Sequence, residues 1–117
     1  MVNILFICSA NLERSPTAEM VFKDYPSWYV KSAGTNPNAV TTISPELIDW
    51  ANHIIVMENI HVEKINQISP ESLGKIKVLN IEDRYHKCSS ELIGTLIVRM
   101  SQLFPLDNWL QSKFLCD

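Results

Sequence analysis

Cysteine is scarce in this sequence. Cys8, Cys88 and Cys116 are too few and too widely spaced for a disulfide framework. No C-x-x-C pair or Cys/His cluster has the spacing of a zinc site. His53, His61 and His86 stand apart, and each reads as a surface or partly buried histidine. No apolar run approaches the ~20 residues of a membrane span. The run Ile4–Ile7 is too short for the core of a secretory leader, and the basic start and small-residue cleavage pattern of a leader are missing as well. There is no excess of positive charge: the net charge is −3, which gives no electrostatic basis for binding nucleic acid or an anionic membrane. No repeat, low-complexity tract or linker interrupts the chain. These absences point to a cytoplasmic protein with reduced thiols, for which neither nucleic acid nor membrane is an expected partner.

What remains is a chain of 117 residues, 46% hydrophobic and 20% charged. That is enough for one domain with a real core and too little for two, so residues 1–117 are predicted to form a single domain. Val2–Ile7 (VNILFI) is apolar and β-rich, the pattern of a strand buried on both faces of a parallel sheet. Ser15-Pro16 followed by Glu19 signals a helix start, with Ser15 as the cap and the helix running to about Asp24. Trp28–Lys31 reads as a second strand, followed by a turn-rich loop over Ser32–Thr42. Ser44-Pro45-Glu46 opens a second helix, His53–Met57 is a third strand, Ile60–Ile68 a helix and Lys75–Leu79 a fourth strand. Ile81–Lys87 is a polar loop. From Ser89 a helix carries Leu92, Leu96, Met100 and Leu103 along one face until Pro105 stops it, and the tail from Asp107 is expected to add a last short helix. Strands thus alternate with helices. The pattern predicts an α/β three-layer domain: a central four-stranded parallel sheet with right-handed crossovers and helices on both faces. Ligands of such sheets sit at the carboxyl ends of the strands, which is where Cys8 and Asp83 fall.

Cys8–Ser15 (CSANLERS) joins the end of a strand to the start of a helix. Successive backbone N–H groups in such a loop, from Ser9, Ala10, Asn11, Leu12, Glu13, Arg14 and Ser15, can converge on an anion, and the helix dipole adds positive potential. Arg14 can clamp two phosphate oxygens. Cys8 at the base of the same cradle is suited to act as a thiolate nucleophile. A lone cysteine after a buried strand is more commonly a small hydrophobe, and C-x5-R alone recurs by chance. The strand before it and the Ser-Pro helix start after it are what favour chemistry.

ILFICSANLERSPTAEMVF resembles the amino-terminal signature of the low-molecular-weight protein tyrosine phosphatases, with C-x5-R-S followed by P-x-A-E. Ser32-Ala33-Gly34-Thr35, Ala51–Met57 and Ile81-Glu82-Asp83-Arg84-Tyr85 are similar to later segments of that family, in order, out to about residue 100. The resemblance implies a flavodoxin-like fold and a cysteine-dependent phosphomonoester hydrolase, of protein-tyrosine-phosphatase type, acting through a phosphocysteine. Cys8 would be the nucleophile, Arg14 the clamp and Asp83 the general acid. Ser15 would bond to the sulfur, Asn11 would hold the loop's shape, Ser32 would brace Asn11, and Tyr85 would line the entrance. No metal or cofactor is implied, because loop amides and Arg14 supply the positive charge; the substrate would be a phosphorylated protein or a small phosphoester.

The departures from the family pattern carry expectations of their own. Ala10 replaces a common glycine, so the loop is expected to be strained or altered. Glu13 stands where many members have a second cysteine and is expected to point outward, toward a lysine. Arg84 replaces the proline of Asp-Pro and adds a charge that could meet an acidic substrate. The segment between Thr35 and Ser44 is trimmed, which removes the family's aromatic wall. Two other readings compete: a thiol-redox enzyme of the arsenate reductase kind, which needs Cys88 near Cys8, and a phosphate-binding module without turnover, which depends on Arg14 alone.

Overall fold

The computed structural model describes residues 1–106 and Trp109. The expected tail helix from Asp107 and Cys116 lie outside these residues. Strands β1 (Val2–Cys8), β2 (Trp28–Gly34), β3 (His53–Val56) and β4 (Ile76–Val78) form one sheet in the order β2-β1-β3-β4, and every pairing is parallel. Helices α1 (Arg14–Phe22), α2 (Pro45–Trp50), α3 (Asn59–Ile68) and α4 (Ser90–Ser101) alternate with them. The predicted α/β architecture is the observed one.

The central strand explains the layering. Side chains alternate across a strand. Ile4, Phe6 and Cys8 face one side and pack with Ala18, Val21 and Phe22 of α1 and Leu92, Leu96 and Met100 of α4. Leu5 and Ile7 face the other and pack with Ile48 of α2 and Ile65 of α3. Both faces are covered, so the strand reads as a continuous apolar run. Trp28 and Trp109 join the first core and Trp50 the second.

Several boundaries differ from the sequence expectation. β2 does not end at Lys31: it continues through Ser32, Ala33 and Gly34, because these residues pair with Phe6, Ile7 and Cys8. Ladder hydrogen bonds outweigh the local turn signals there. A 3₁₀ turn over Pro70–Lys75, not expected from the pattern, delivers the chain into β4. Helix α4 stops at Ser101, and Leu103 beyond it is exposed rather than part of the apolar face. Helix α1 begins at Arg14, so Ser15 lies in its first turn and does not cap it.

Strand order reverses between β1 and β3: the chain leaves β1 toward β2 on one side and returns to β3 on the other. Such a switch point opens a crevice at the strands' carboxyl ends. Cys8 is the last residue of β1, at that crevice.

Candidate active site

The loop after β1 is held from behind. The carbonyls of Cys8, Ser9 and Ala10 accept hydrogen bonds from the backbone N–H groups of Thr35 (3.0 Å), Asn36 (3.0 Å) and Val40 (3.2 Å). The trimmed segment after β2 therefore packs directly on the loop and draws its carbonyls to one side. Close approach of the two segments requires Gly34: a Cβ there would lie 2.5 Å from the Ser9 carbonyl oxygen and 2.9 Å from the Asn11 nitrogen.

Asn11 fixes the turn. Its φ of 55° is left-handed, a region asparagine tolerates better than most residues. Its buried amide uses both donors and its acceptor: Nδ2 donates to Ser15 Oγ (2.9 Å) and Ser32 Oγ (3.0 Å), and Oδ1 accepts from Thr41 N–H (3.1 Å). Ser32 in turn donates to Glu19 Oε1 at 2.5 Å. Ala10 has no positive φ, so the strain expected of an alanine at that position does not arise.

Two groups reach the Cys8 sulfur. Asn11 N–H donates to Sγ at 3.2 Å, and Ser15 Oγ lies 3.0 Å from it. When the sulfur is a thiolate, only Ser15 can be the donor in that second pair. Ser15 was expected to cap α1. Its hydroxyl is spent on this network instead, and no side chain caps the start of α1. Cys8 is nearly buried at the bottom of a small concavity of about 20 Å³, lined by Cys8, Ala10, Leu12, Glu13, Arg14 and Asp83.

Arg14 is almost wholly buried, which is costly for a charge unless it is paired. Its Nη1 donates to Glu58 Oε1 at 2.6 Å and to the Ile81 carbonyl at 2.8 Å, and its Nε lies 3.7 Å from Asp83 Oδ1. One guanidinium thus ties together the chain segments that follow β1, β3 and β4.

His61 corrects the sequence reading, which took it as a surface or partly buried histidine. It is fully buried in the first turn of α3. Its Nδ1 accepts from Glu58 N–H at 3.0 Å, and its Nε2 lies 3.0 Å from Ser9 Oγ. Burial first, then the Arg14 guanidinium, push its pKa down to about 4, while Glu58 and Asp83 act the other way. His53 and His86 are half-buried and exposed respectively. Glu58 and His61 were both missed as site residues. The signal was a Glu-x-x-His spacing straddling a strand end and a helix start, which is the geometry of a reciprocal cap.

The other anticipated residues divide. Cys8, Asn11, Ser15 and Ser32 form one hydrogen-bonded cluster; Arg14 lines the same concavity as Cys8 but bonds to Glu58 and Ile81 instead, and Asp83 is exposed at the rim. Tyr85 does not line the concavity. It is half-buried against the α1–α4 core, with the Arg84 guanidinium 4.2 Å from its ring centre. Arg84 is also paired with Glu82 at 3.2 Å and Glu91 at 3.9 Å, so its charge is matched locally. Glu13 lines the concavity and, among the described residues, pairs with no lysine. The Cys88 thiol faces Met20 Sδ at 3.5 Å and is not part of the concavity, so nothing places it as a partner for Cys8.

Comparison with known proteins bears on the family and the fold. The model of the low molecular weight phosphotyrosine protein phosphatases matches residues 3–53. The low molecular weight protein-tyrosine-phosphatase Wzb of Salmonella typhimurium is 30% identical over 132 aligned positions, covering 85% of this chain and 89% of Wzb. The chain belongs to the low molecular weight protein-tyrosine-phosphatase family. Wzb of Escherichia coli K12 is 28% identical over 116 positions, covering 73% of this chain and 79% of its own. The crystal structure of Wzb from Escherichia coli K30 in complex with phosphate superposes with a TM-score of 0.68 at 25% identity, covering 95% of this chain and 97% of that one. The YwlE arginine phosphatase from Geobacillus stearothermophilus shares the fold, with a TM-score of 0.70 at 24% identity over 98% and 96% of the two chains. As a family member the chain is a cysteine-based phosphatase, a hydrolase of phosphoesters. Among the described residues no helix is long and apolar enough to cross a membrane.

Proposed function

We propose that residues 1–117 act as one phosphatase-like domain that hydrolyses phosphomonoesters of the phosphotyrosine type on proteins, with Cys8, Arg14 and Asp83 as the reacting and clamping groups. The observation that carries this reading is the donor set at sulfur: Asn11 N–H at 3.2 Å and Ser15 Oγ at 3.0 Å both meet the Cys8 Sγ. Hydrogen bonds to a thiolate make it available as nucleophile and later as leaving group. The Cys8 thiolate attacks phosphorus and an S–P bond forms. The ester P–O bond breaks, and Asp83 at the rim gives its proton to the departing oxygen. Asp83, now ionised, takes a proton from water, whose oxygen attacks phosphorus. The S–P bond breaks, and phosphate leaves with the thiolate restored. Arg14 and the loop N–H groups hold the equatorial oxygens, where preorganised charge contributes most.

Leu12 supports an aryl leaving group. It lines the concavity and is 55% exposed, a large apolar side chain beside the reacting sulfur. A thiolate nucleophile needs a reducing compartment, so a cytoplasmic setting belongs to the same reading. The test is hydrolysis of para-nitrophenyl phosphate from mildly acidic to neutral pH by wild type, Cys8→Ser and Asp83→Asn. Loss of activity in the first and a fall of about 10²–10⁴-fold in kcat in the second are expected. A folded but inactive wild type, or an active Cys8→Ser variant, overturns the reading.

A further inference from the structure

His61 joins two parts of the site that are far apart in sequence. Glu58 N–H must donate to His61 Nδ1, so that nitrogen carries no proton. The neutral ring therefore carries its proton on Nε2, and Nε2–H donates to Ser9 Oγ at 3.0 Å. Ser9 follows the nucleophile directly. Glu58 bears the carboxylate that holds Arg14 Nη1 at 2.6 Å. One buried imidazole thus connects the residue beside Cys8 with the residue that carries Arg14. A buried imidazole must pair both nitrogens, and here the two partners are the residue beside Cys8 and the residue that carries Arg14.

We propose that His61 is a positioning residue of the reaction, which sets the distance between the Cys8 sulfur and the Arg14 guanidinium by holding Ser9 and Glu58 at fixed separation. The claim rests on Cys8 as nucleophile and Arg14 as clamp. It also predicts the chemistry of replacements. The Asn side chain is long enough to accept from Glu58 N–H but too short to reach Ser9. The Gln side chain can place its oxygen at the Glu58 N–H and its amide N–H₂ near Ser9 Oγ.

The experiment compares wild type, His61→Asn, His61→Gln, Ser9→Ala and the His61→Asn/Ser9→Ala double variant. Each is assayed for kcat and KM with para-nitrophenyl phosphate, for affinity toward inorganic phosphate and for thermal unfolding. His61→Asn is expected to lower kcat about 10- to 100-fold, as small misplacements of reacting groups do, with a smaller change in KM. Its phosphate affinity should fall about tenfold. His61→Gln should recover most of both losses. Ser9→Ala should match His61→Asn, and the double variant should be no worse than either, because one connection is cut twice. Equal losses in the Asn and Gln variants, or losses at His61 and Ser9 that simply add, overturn the proposal. So does a folded His61→Asn variant with kcat and phosphate affinity within twofold of wild type. If His61→Asn fails to fold, Ser9→Ala and His61→Gln decide, since Ser9→Ala leaves α3 untouched. If wild type binds phosphate without hydrolysing the ester, the phosphatase reading falls, and the phosphate affinities of the variants still judge His61.

Discussion

Arg14 and Glu58 meet at 2.6 Å, although 44 residues separate them. The guanidinium is buried and the carboxylate partly exposed, so Glu58 is what makes a buried positive charge tolerable between substrates. The Glu58 and Ile81 contacts both fall on Nη1, so an incoming anion is met by the Nε–Nη2 edge, with Asp83 3.7 Å from Nε. Glu58→Gln keeps the shape and an acceptor oxygen but removes the charge. Arg14 should then be held less firmly, and kcat/KM for para-nitrophenyl phosphate should drop about tenfold, the worth of one charge-assisted hydrogen bond. Steady-state kinetics on the folded variant checks this. An unchanged kcat/KM would show that Ile81 and Asp83 suffice to place Arg14.

Gly34 is required by space rather than by its φ. An added Cβ would sit 2.5 Å from Ser9 O, 2.7 Å from the Ala39 Cβ and 2.9 Å from Asn11 N. Two of these three are backbone atoms of the loop around Cys8, so the strain is delivered to the site itself. Gly34→Ala should cost about 1–3 kcal/mol of stability by overpacking. Its kcat should fall by more than that of a control such as Gly94→Ala, where an added Cβ meets nothing within 4 Å. Urea unfolding together with kcat for both variants measures the difference.

His61 makes stability depend on pH in a defined window. Its folded pKa is pushed down to about 4, from the usual histidine value of 6.5 in the unfolded chain. Above pH 6.5 both states hold it neutral and there is no effect. As pH falls from 6.5 toward 4 the unfolded chain gains a proton that the folded protein refuses, so stability drops, by roughly 3 kcal/mol in all. Below pH 4 this group adds no further slope. Protonation would also put an N–H against Glu58 N–H and break that bond. Urea titrations of wild type and His61→Asn across pH 4–7 should show the slope in the first only; parallel curves would place the ring's pKa near its ordinary value.

The sequence by itself determined the layout and the central chemistry. The apolar run ending on Cys8, the helix signals at Ser15-Pro16 and the alternation of strands with helices are local patterns, and they locate Cys8 at a strand tip because side-chain periodicity and caps act over a few residues. Arg14 was legible as an anion clamp for the same reason, six residues beyond Cys8; the places of Asn11 and Ser15 around the sulfur were implied by the resemblance to the phosphatase family. Where local signals competed with pairing, they failed: Ser32–Gly34 reads as a turn and is strand, because β1 supplies a ladder that sequence neighbours cannot show. Tyr85, assigned to the entrance by resemblance, is half-buried against the α1–α4 core, a contact its sequence neighbours do not reveal. Only the tertiary structure brought Glu58 and His61 to the site. Parallel crossovers bring the ends of β1, β3 and β4 to one crevice, and a charge as buried as Arg14 must find its partners there, at whatever sequence distance the topology imposes.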